Sequence, residues 1–207
     1  KLDDFKPHAV VFSTVVEDTW PQTRDLLKVL SNPQYGGIKS IVGGVYTTML
    51  SRYYDHEHKV IADPYVQCIG EGEGEHTIVD FCESVRNGIS PTRIPGTRAK
   101  ENGHILRNPP RSLVNLNETP IPDFSLFDKK RFERPLGAKS WRAIPIETYR
   151  GCPYTCTFCN SPAQVDIAKE RQGTDFKRRK SMNVLRREIT TLLEQNDGNF
   201  LYINDDA

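Results

Sequence analysis

The sequence predicts an α/β chain, with a parallel sheet in its opening part and the first β/α units of a second sheet towards its carboxyl end. Two observations carry this. Short β-rich runs alternate with helix-period segments through residues 1–90. A further strand-like run at 143–148 is followed by a cysteine-rich loop, a helical pattern and another strand-like run at 200–204. Between the two lies a segment of different character, so the expected division is 1–90, a connection over 91–140, and 141–207.

In the first region, Ala9 to Ser13 is a short apolar run that reads as a buried strand. Asp18 or Thr19 can cap a helix beginning at Trp20-Pro21, with Leu26, Leu27 and Leu30 as its apolar face. Residues 38–42 form a second strand closing in Gly43-Gly44, and a helix over 45–54 follows. Residues 65–69 form a third strand running into Gly70-Glu71-Gly72-Glu73-Gly74. The next helix carries Ile78, Val79, Phe81, Cys82 and Val85 and is ended by Gly88. Strand and helix in strict alternation imply right-handed crossovers, and ligands bind such sheets beyond the carboxyl ends of the strands. Those ends are Ser13-Thr14, Gly43-Gly44 and the 70–74 loop, all small or glycine-rich, so backbone can approach a bulky ligand. No G-x-G-x-x-G opens a helix after the first strand, which gives a nicotinamide site little support.

The connection reads as a β-hairpin around Asn102-Gly103, followed by a proline-rich path through Pro109-Pro110 and Pro120 to Phe124. Leu116, Ile121, Phe124, Leu126 and Phe127 are expected to pin it against one or both domains. In the third region Ser181 can cap a helix with Val184, Leu185, Ile189, Leu192 and Leu193 on one face, and Gly198 precedes the last strand. The basic run Lys177-Arg178-Arg179-Lys180 reads as a solvated turn. Cys68 and Cys82 read as buried small hydrophobes, and all five histidines (His8, His56, His58, His76, His104) as surface residues.

Composition narrows the functional classes. A net charge of +1 gives no broad field for nucleic acid or an anionic membrane. No apolar run reaches membrane-spanning length, and no signal-peptide pattern is present. Five cysteines, three of them within residues 150–159, do not make a secreted disulfide framework, so a reducing cytoplasmic location is expected. The start at Lys1 and the stop at Ala207 read as those of a fragment of a longer protein.

The chemistry concentrates in Arg150-Gly151-Cys152-Pro153-Tyr154-Thr155-Cys156-Thr157-Phe158-Cys159-Asn160. Its spacing is C-x3-C-x2-C, and thiolates so close in sequence can be aimed at one metal centre from a single loop. A structural zinc site wants a fourth ligand, yet no His follows His104 and no Cys follows Cys159. Three thiolates suit an iron–sulfur cube that keeps one iron open. The loop resembles the signature of the radical S-adenosylmethionine (SAM) superfamily, C-x3-C-x-aromatic-C, with Phe158 as the aromatic residue. The resemblance implies that Cys152, Cys156 and Cys159 hold a [4Fe-4S] cluster, that its open iron is chelated by SAM, and that SAM is cleaved to a deoxyadenosyl radical. It also implies that Phe158 packs beside the adenine. Asn204, Asp205 and Asp206, at the end of the second barrel strand, would hold the SAM amino group, with Asp205 the better candidate of the two acids. A cluster loop directly after a strand lies where the active sites of β/α barrels lie, so a partial TIM barrel is expected.

Ser at one strand end, Val-Gly-Gly at the next and Gly-Glu-Gly-Glu at the third resemble the later part of the Rossmann-like cobalamin-binding domain that precedes many radical SAM cores. That resemblance places Ser13, Thr14, Gly43, Gly44, Glu71, Gly72 and Glu73 around cobalamin. The D-x-H-x-x-G motif of many such domains is not in this sequence, which leaves the lower cobalt ligand undetermined. The implied function is cobalamin-dependent methyl transfer to an unactivated centre of a small-molecule substrate, with an external electron donor such as flavodoxin or ferredoxin and no nucleic-acid or membrane partner. The alternatives are cyclisation or rearrangement without cobalamin and, in another class, a non-catalytic zinc module. The methylthiotransferase branch is disfavoured, because its front domain supplies three further cluster cysteines and only Cys68 and Cys82 are available here. With two barrel strands present, these residues alone are not expected to turn over.

Overall fold

The computed structural model describes residues 2–54, 58–173 and 175–205, and the side chains of all of these but 171 and 172. It divides into two compact units, 1–113 and 114–207.

The first unit runs α1 (Leu2–Phe5), β1 (Ala9–Ser13), α2 (Trp20–Leu30), β2 (Lys39–Gly43), α3 (Val45–Tyr53), α4 (Lys59–Ala62), β3 (Cys68–Gly70), α5 (Glu75–Arg86), β4 (Thr97–Glu101) and β5 (His104–Arg107). The five strands form one sheet in that order. β1, β2 and β3 are parallel, with Ser13 opposite Gly43 and Val42 opposite Ile69, so their carboxyl ends share one edge. β4 pairs antiparallel with β3, and β5 turns back on β4 through Asn102 and Gly103, both at positive φ. The hairpin expected in the connection therefore belongs to this sheet.

The period of two along each strand builds a core on both faces. Val42 and Ile69 point to one side, with Leu27 and Leu30 of α2, Leu50 of α3, and Val60 and Ile61 of α4. Their neighbours Ile41 and Cys68 point to the other, with Phe81 of α5, Ile94 and Ala99. Each such fully buried aliphatic or aromatic side chain contributes roughly 1.5–3 kcal/mol. Burial in this apolar layer pushes the Cys68 thiol up to about 12, which suits a packed hydrophobe and not a ligand.

Several expectations are corrected. β1 is an edge strand and only half-buried, with Val11 exposed. The inward stripe of α2 is Thr23, Leu27 and Leu30, spaced by four and three, which turns Leu26 outward. Thr19 stands at its N-cap, but the hydroxyl bonds back to the Val16 carbonyl instead of capping. α5 buries Thr77 and Phe81, which leaves Ile78, Val79 and Cys82 exposed, so Cys82 is not a core residue. The third strand is shorter than 65–69 suggested, and α4 precedes it. Among the histidines His8, His76 and His104 are exposed, whereas His56 lies outside the described residues. His58 is buried: its Nε2 meets the Thr47 carbonyl at 3.1 Å, and its Nδ1 is enclosed without a partner among the described residues.

The second unit contains β6 (Glu133–Leu136), β7 (Lys139–Ile146), β8 (Tyr149–Arg150), α6 (Ser161–Gln172), β9 (Arg178–Arg179), α7 (Met182–Asn196) and β10 (Phe200–Ile203). β7 lies between β10, parallel to it, and β6, antiparallel to it. Ile144, Ile146 and Leu192 form the core, packed by Ile189, Leu193 and Leu201 and by Ile121 and Phe124 of the proline-rich path. Leu116 is buried as expected, while Leu126 and Phe127 are exposed. The Ser181 hydroxyl accepts from the Val184 amide and caps α7 as predicted. Gly198, after α7, sits so close to the core that a Cβ there would come within 2.4 Å of Ile144 Cγ1.

The basic run is not a solvated turn. Arg178 and Arg179 pair with Tyr149 and Arg150 as the small β8–β9 ribbon, and the Arg178 guanidinium donates to the Val114 carbonyl. Lys180 forms a buried pair with Glu188 at 2.8 and 2.9 Å. Among the described residues no helix is long and apolar enough to cross a membrane.

The buried His58 generates a pH dependence. Desolvation lowers its pKa below the ordinary value near 6.5, with the Arg98 charge acting in the same direction. The unfolded chain therefore binds more protons below about pH 6.5, so the stabilisation is complete above that pH and is lost as the pH falls towards the folded-state value. Urea unfolding at pH 7.5 and 5.5 should show the native protein losing more stability on acidification than His58→Asn; equal losses would contradict the burial argument.

Candidate functional site

The carboxyl ends of β1, β2 and β3 open onto a cavity of about 200 Å³. Ser13, Gly43, Gly44, Glu71, Gly72 and Glu73 line it, together with Gly70, Gly74, Thr77 and Ile78. Six of the seven residues expected around a ligand are thus brought to one place. The seventh, Thr14, is fully buried behind them: its amide donates to the Gly43 carbonyl at 2.8 Å and its carbonyl accepts from the Tyr46 amide at 3.1 Å.

The glycines divide into two kinds. Gly44 is demanded by the fold: its φ is +105°, and a Cβ would lie 2.4 Å from the Thr14 carbonyl oxygen. Gly43 and Gly70 are not at positive φ, and a Cβ at either would meet nothing closer than 3.8 Å. Packing leaves room for side chains there, and what those side chains would fill is the cavity. The two glycines leave the cavity open and its wall made of backbone. Thr77, on the same wall, is a lining residue the sequence pattern did not single out; its hydroxyl is enclosed on the Gly96 side, without a partner among the described residues.

Glu71 contributes backbone and not charge. Its carboxylate turns into the protein, bonded to the Ser51 hydroxyl and to Arg98 Nε at 2.5 Å, with both side chains at 10% exposure or less. Removing one partner of such a buried pair costs about 3–5 kcal/mol. The Gly72 amide donates to Thr48 Oγ1 at 2.9 Å, and Thr47 Oγ1 lies within 3.0 Å of the Gly44 and Gly70 carbonyls. The ends of β2 and β3 are thereby tied together from behind the cavity, and the Thr14 amide bond to Gly43 adds the end of β1.

In the second unit the cysteine loop leaves the carboxyl end of β7 through β8. Glu147 and Arg150 form a two-pronged pair at 2.9 Å. Gly151, at φ +93°, lets the chain pass against Phe176, whose Cδ1 would be 3.0 Å from a Cβ. Cys152 is buried, and Cys156 and Cys159 are exposed. The Cys159 amide reaches the Cys156 carbonyl at 3.2 Å, and the Ser161 amide, at the start of α6, donates to Cys159 Sγ at 3.5 Å. Phe158 is 92% exposed. In number and kind the three thiols fit a thiolate-held iron–sulfur cluster. Among the described residues no three His, Cys, Asp or Glu side chains are gathered as a metal site, so the donor set is present without its assembled geometry.

The residues expected at the SAM amino group are only partly placed. Asn204 is exposed, with its amide bonded to the Ile146 carbonyl at 2.8 Å. Asp206 lies outside the described residues. The Asp205 carboxylate is engaged by the Thr148 amide at 2.7 Å, the Tyr149 amide at 3.2 Å and the Thr148 hydroxyl.

No sequence-family model matches the chain. An uncharacterized methyltransferase of Pyrococcus horikoshii is 33% identical over 105 residues, which cover 49% of this chain and 21% of that protein. The anaerobic magnesium-protoporphyrin IX monomethyl ester cyclase of Cereibacter sphaeroides is 25% identical over 164 residues, 77% of this chain and 25% of the cyclase. The cyclase of the same name from Rubrivivax gelatinosus is 23% identical and covers 100% of this chain and 35% of its own length. The cobalamin-dependent SAM radical enzyme OxsB, solved with aqua-cobalamin and SAM bound, superposes with a TM-score of 0.65 at 22% identity, over 99% of this chain and 26% of OxsB. The radical SAM methyltransferase TsrM of Kitasatospora setae, solved with cobalamin and a [4Fe-4S] cluster, gives 0.54 at 16% identity, over 97% of this chain and 37% of TsrM. This chain spans between a fifth and two fifths of these proteins, and it has the fold of the corresponding parts of OxsB and TsrM. The expected α/β class, with a parallel Rossmann-like sheet, is borne out.

Proposed function

We propose that the chain is part of a radical SAM enzyme that uses cobalamin, and that its reaction is methyl transfer to an unactivated centre of a small molecule. The observation that carries this reading is the pairing, in one chain, of a glycine-cradled cavity at three parallel strand ends with a three-cysteine loop at the end of a fourth parallel-paired strand. The fold match to OxsB and TsrM over almost the whole chain supports it.

Cys152, Cys156 and Cys159 would hold a [4Fe-4S] cluster, which when bound supplies the electron that cleaves SAM. Cys152 would anchor it from the buried side of the loop, and the exposed Phe158 offers an apolar face for an adenine. Ser13, Gly43, Gly44, Gly70, Gly72 and Glu73 would cradle cobalamin, which when bound supplies a methyl carrier. Thiolate ligands and a low-potential electron donor of the flavodoxin or ferredoxin kind suit a reducing cytoplasmic compartment. Cyclisation is the second reading, favoured by the magnesium-protoporphyrin cyclase that aligns along the entire chain.

Two substitutions in the full-length protein test these assignments. Cys156→Ala should remove one of three protein ligands and lower iron per chain several-fold after anaerobic reconstitution; a retained four-iron complement with SAM cleavage would overturn the ligand set. Gly43→Val should leave the fold intact yet weaken cobalamin binding by about tenfold or more, roughly 1.4 kcal/mol. Unchanged spectral titration with hydroxocobalamin would remove this cavity from the account.

A further inference from the structure

We propose that Asp205 is a positioning residue: its carboxylate fixes the backbone from which the cysteine loop departs, and it is not the acceptor of the SAM ammonium group. This rests on the radical SAM reading for its functional meaning, though the geometry stands without it.

Asp205 follows β10, and the sequence separates it from Thr148 by 57 residues. The parallel register of β10 on β7, with Ile203 opposite Ile146, brings the two strand ends level. The Asn204 amide then continues the ladder to the Ile146 carbonyl, and the next residue, Asp205, faces the first two amides beyond the strand. Oδ1 accepts from the Thr148 and Tyr149 amides, and Oδ2 is bonded to the Thr148 hydroxyl. Of roughly four lone-pair positions on a carboxylate, three donors are already in place.

The same peptide is held from its other side. The Thr148 carbonyl accepts from the Lys180 amide at 3.0 Å, and Tyr149 and Arg150 pair with Arg179 and Arg178. Every backbone hydrogen-bonding group of Thr148 is therefore committed, four residues before Cys152. If Asp205 turned to an ammonium ion it would strand the Thr148 and Tyr149 amides, a cost that an acceptor with free lone pairs would not meet. A carboxylate in this place acts as a latch between two strand ends, and its effect on chemistry passes through the loop it steadies.

The test uses the full-length protein carrying Asp205→Asn, Asp205→Ala or Thr148→Val. Amide hydrogen exchange at residues 148 and 149 should speed up by about tenfold in Asp205→Ala, much less in Asp205→Asn, whose carbonyl oxygen still accepts both amides, and least in Thr148→Val, which keeps its amide. After anaerobic reconstitution, Asp205→Asn should keep most of its iron, its cluster electron paramagnetic resonance signal and its SAM affinity, while Asp205→Ala should lose cluster and SAM binding in step. Unchanged exchange in Asp205→Ala would overturn the latch. So would an Asp205→Asn protein with normal exchange and a normal cluster but SAM affinity down more than about tenfold, the signature of a lost ammonium acceptor. Faster exchange in a protein whose native form takes up neither iron nor SAM would sustain the latch and defeat the functional reading.

Discussion

The carboxyl edge of the first sheet depends on one close approach, that of Gly44 to the backbone of Thr14. With a Cβ at 44 the two strand ends could not lie so near, and the Thr14 bonds to the Gly43 carbonyl and the Tyr46 amide would open. Those bonds set where α3 begins. α3 in turn carries Thr47 and Thr48, whose hydroxyls reach Gly44, Gly70 and Gly72. A missing methyl group at one position thus orders three loops, and the space they enclose is the cavity. The second unit has matching approaches at Gly198 against Ile144 and Gly151 against Phe176 and Lys177, the latter at the point where the cysteine loop leaves the β8–β9 ribbon.

Buried charge serves structure. Glu71 with Arg98, and Lys180 with Glu188, are buried pairs in which each partner needs the other, because a lone buried charge is costly. Asp205 is tied up by backbone and hydroxyl donors. Asp205 in one unit and the Thr47 and Thr48 hydroxyls in the other are spent on holding backbone. Small, apolar and sulfur groups remain open beside them: Gly43, Gly70 and Gly72 in one unit, Cys156, Phe158 and Cys159 in the other. Surfaces of that kind suit cofactors that bring their own reactivity.

Period and punctuation in the sequence were enough to place β1, β2, α3, α5, α7 and β10, because apolar spacing and Gly or Ser signals are local. They were not enough to say which way α2 and α5 face. Leu26 and Cys82 belong to apolar patterns broader than the stripe that is buried, and only packing against the sheet selects that stripe. α6 escaped notice because its inward residues, Ala163, Ile167 and Ala168, are few and mostly small, although Pro162 at its start and Gly173 at its end were readable signals. The burial of His58 and the engagement of Asp205 and Lys180 are consequences of partners 11, 57 and 8 residues away, which no local pattern announces. At the site, the glycine ends could be read as a group because parallel strands must share an edge; that Glu71 lends backbone and not charge could not.

The most direct measurement is iron, cobalt and zinc per chain in the full-length protein after anaerobic reconstitution with iron, sulfide and hydroxocobalamin and subsequent desalting. The expected result is iron at the level of a four-iron cluster together with cobalt near one per chain. Zinc in place of iron would contradict the cluster assignment, and iron without cobalt would reduce the glycine-lined cavity to a scaffold feature.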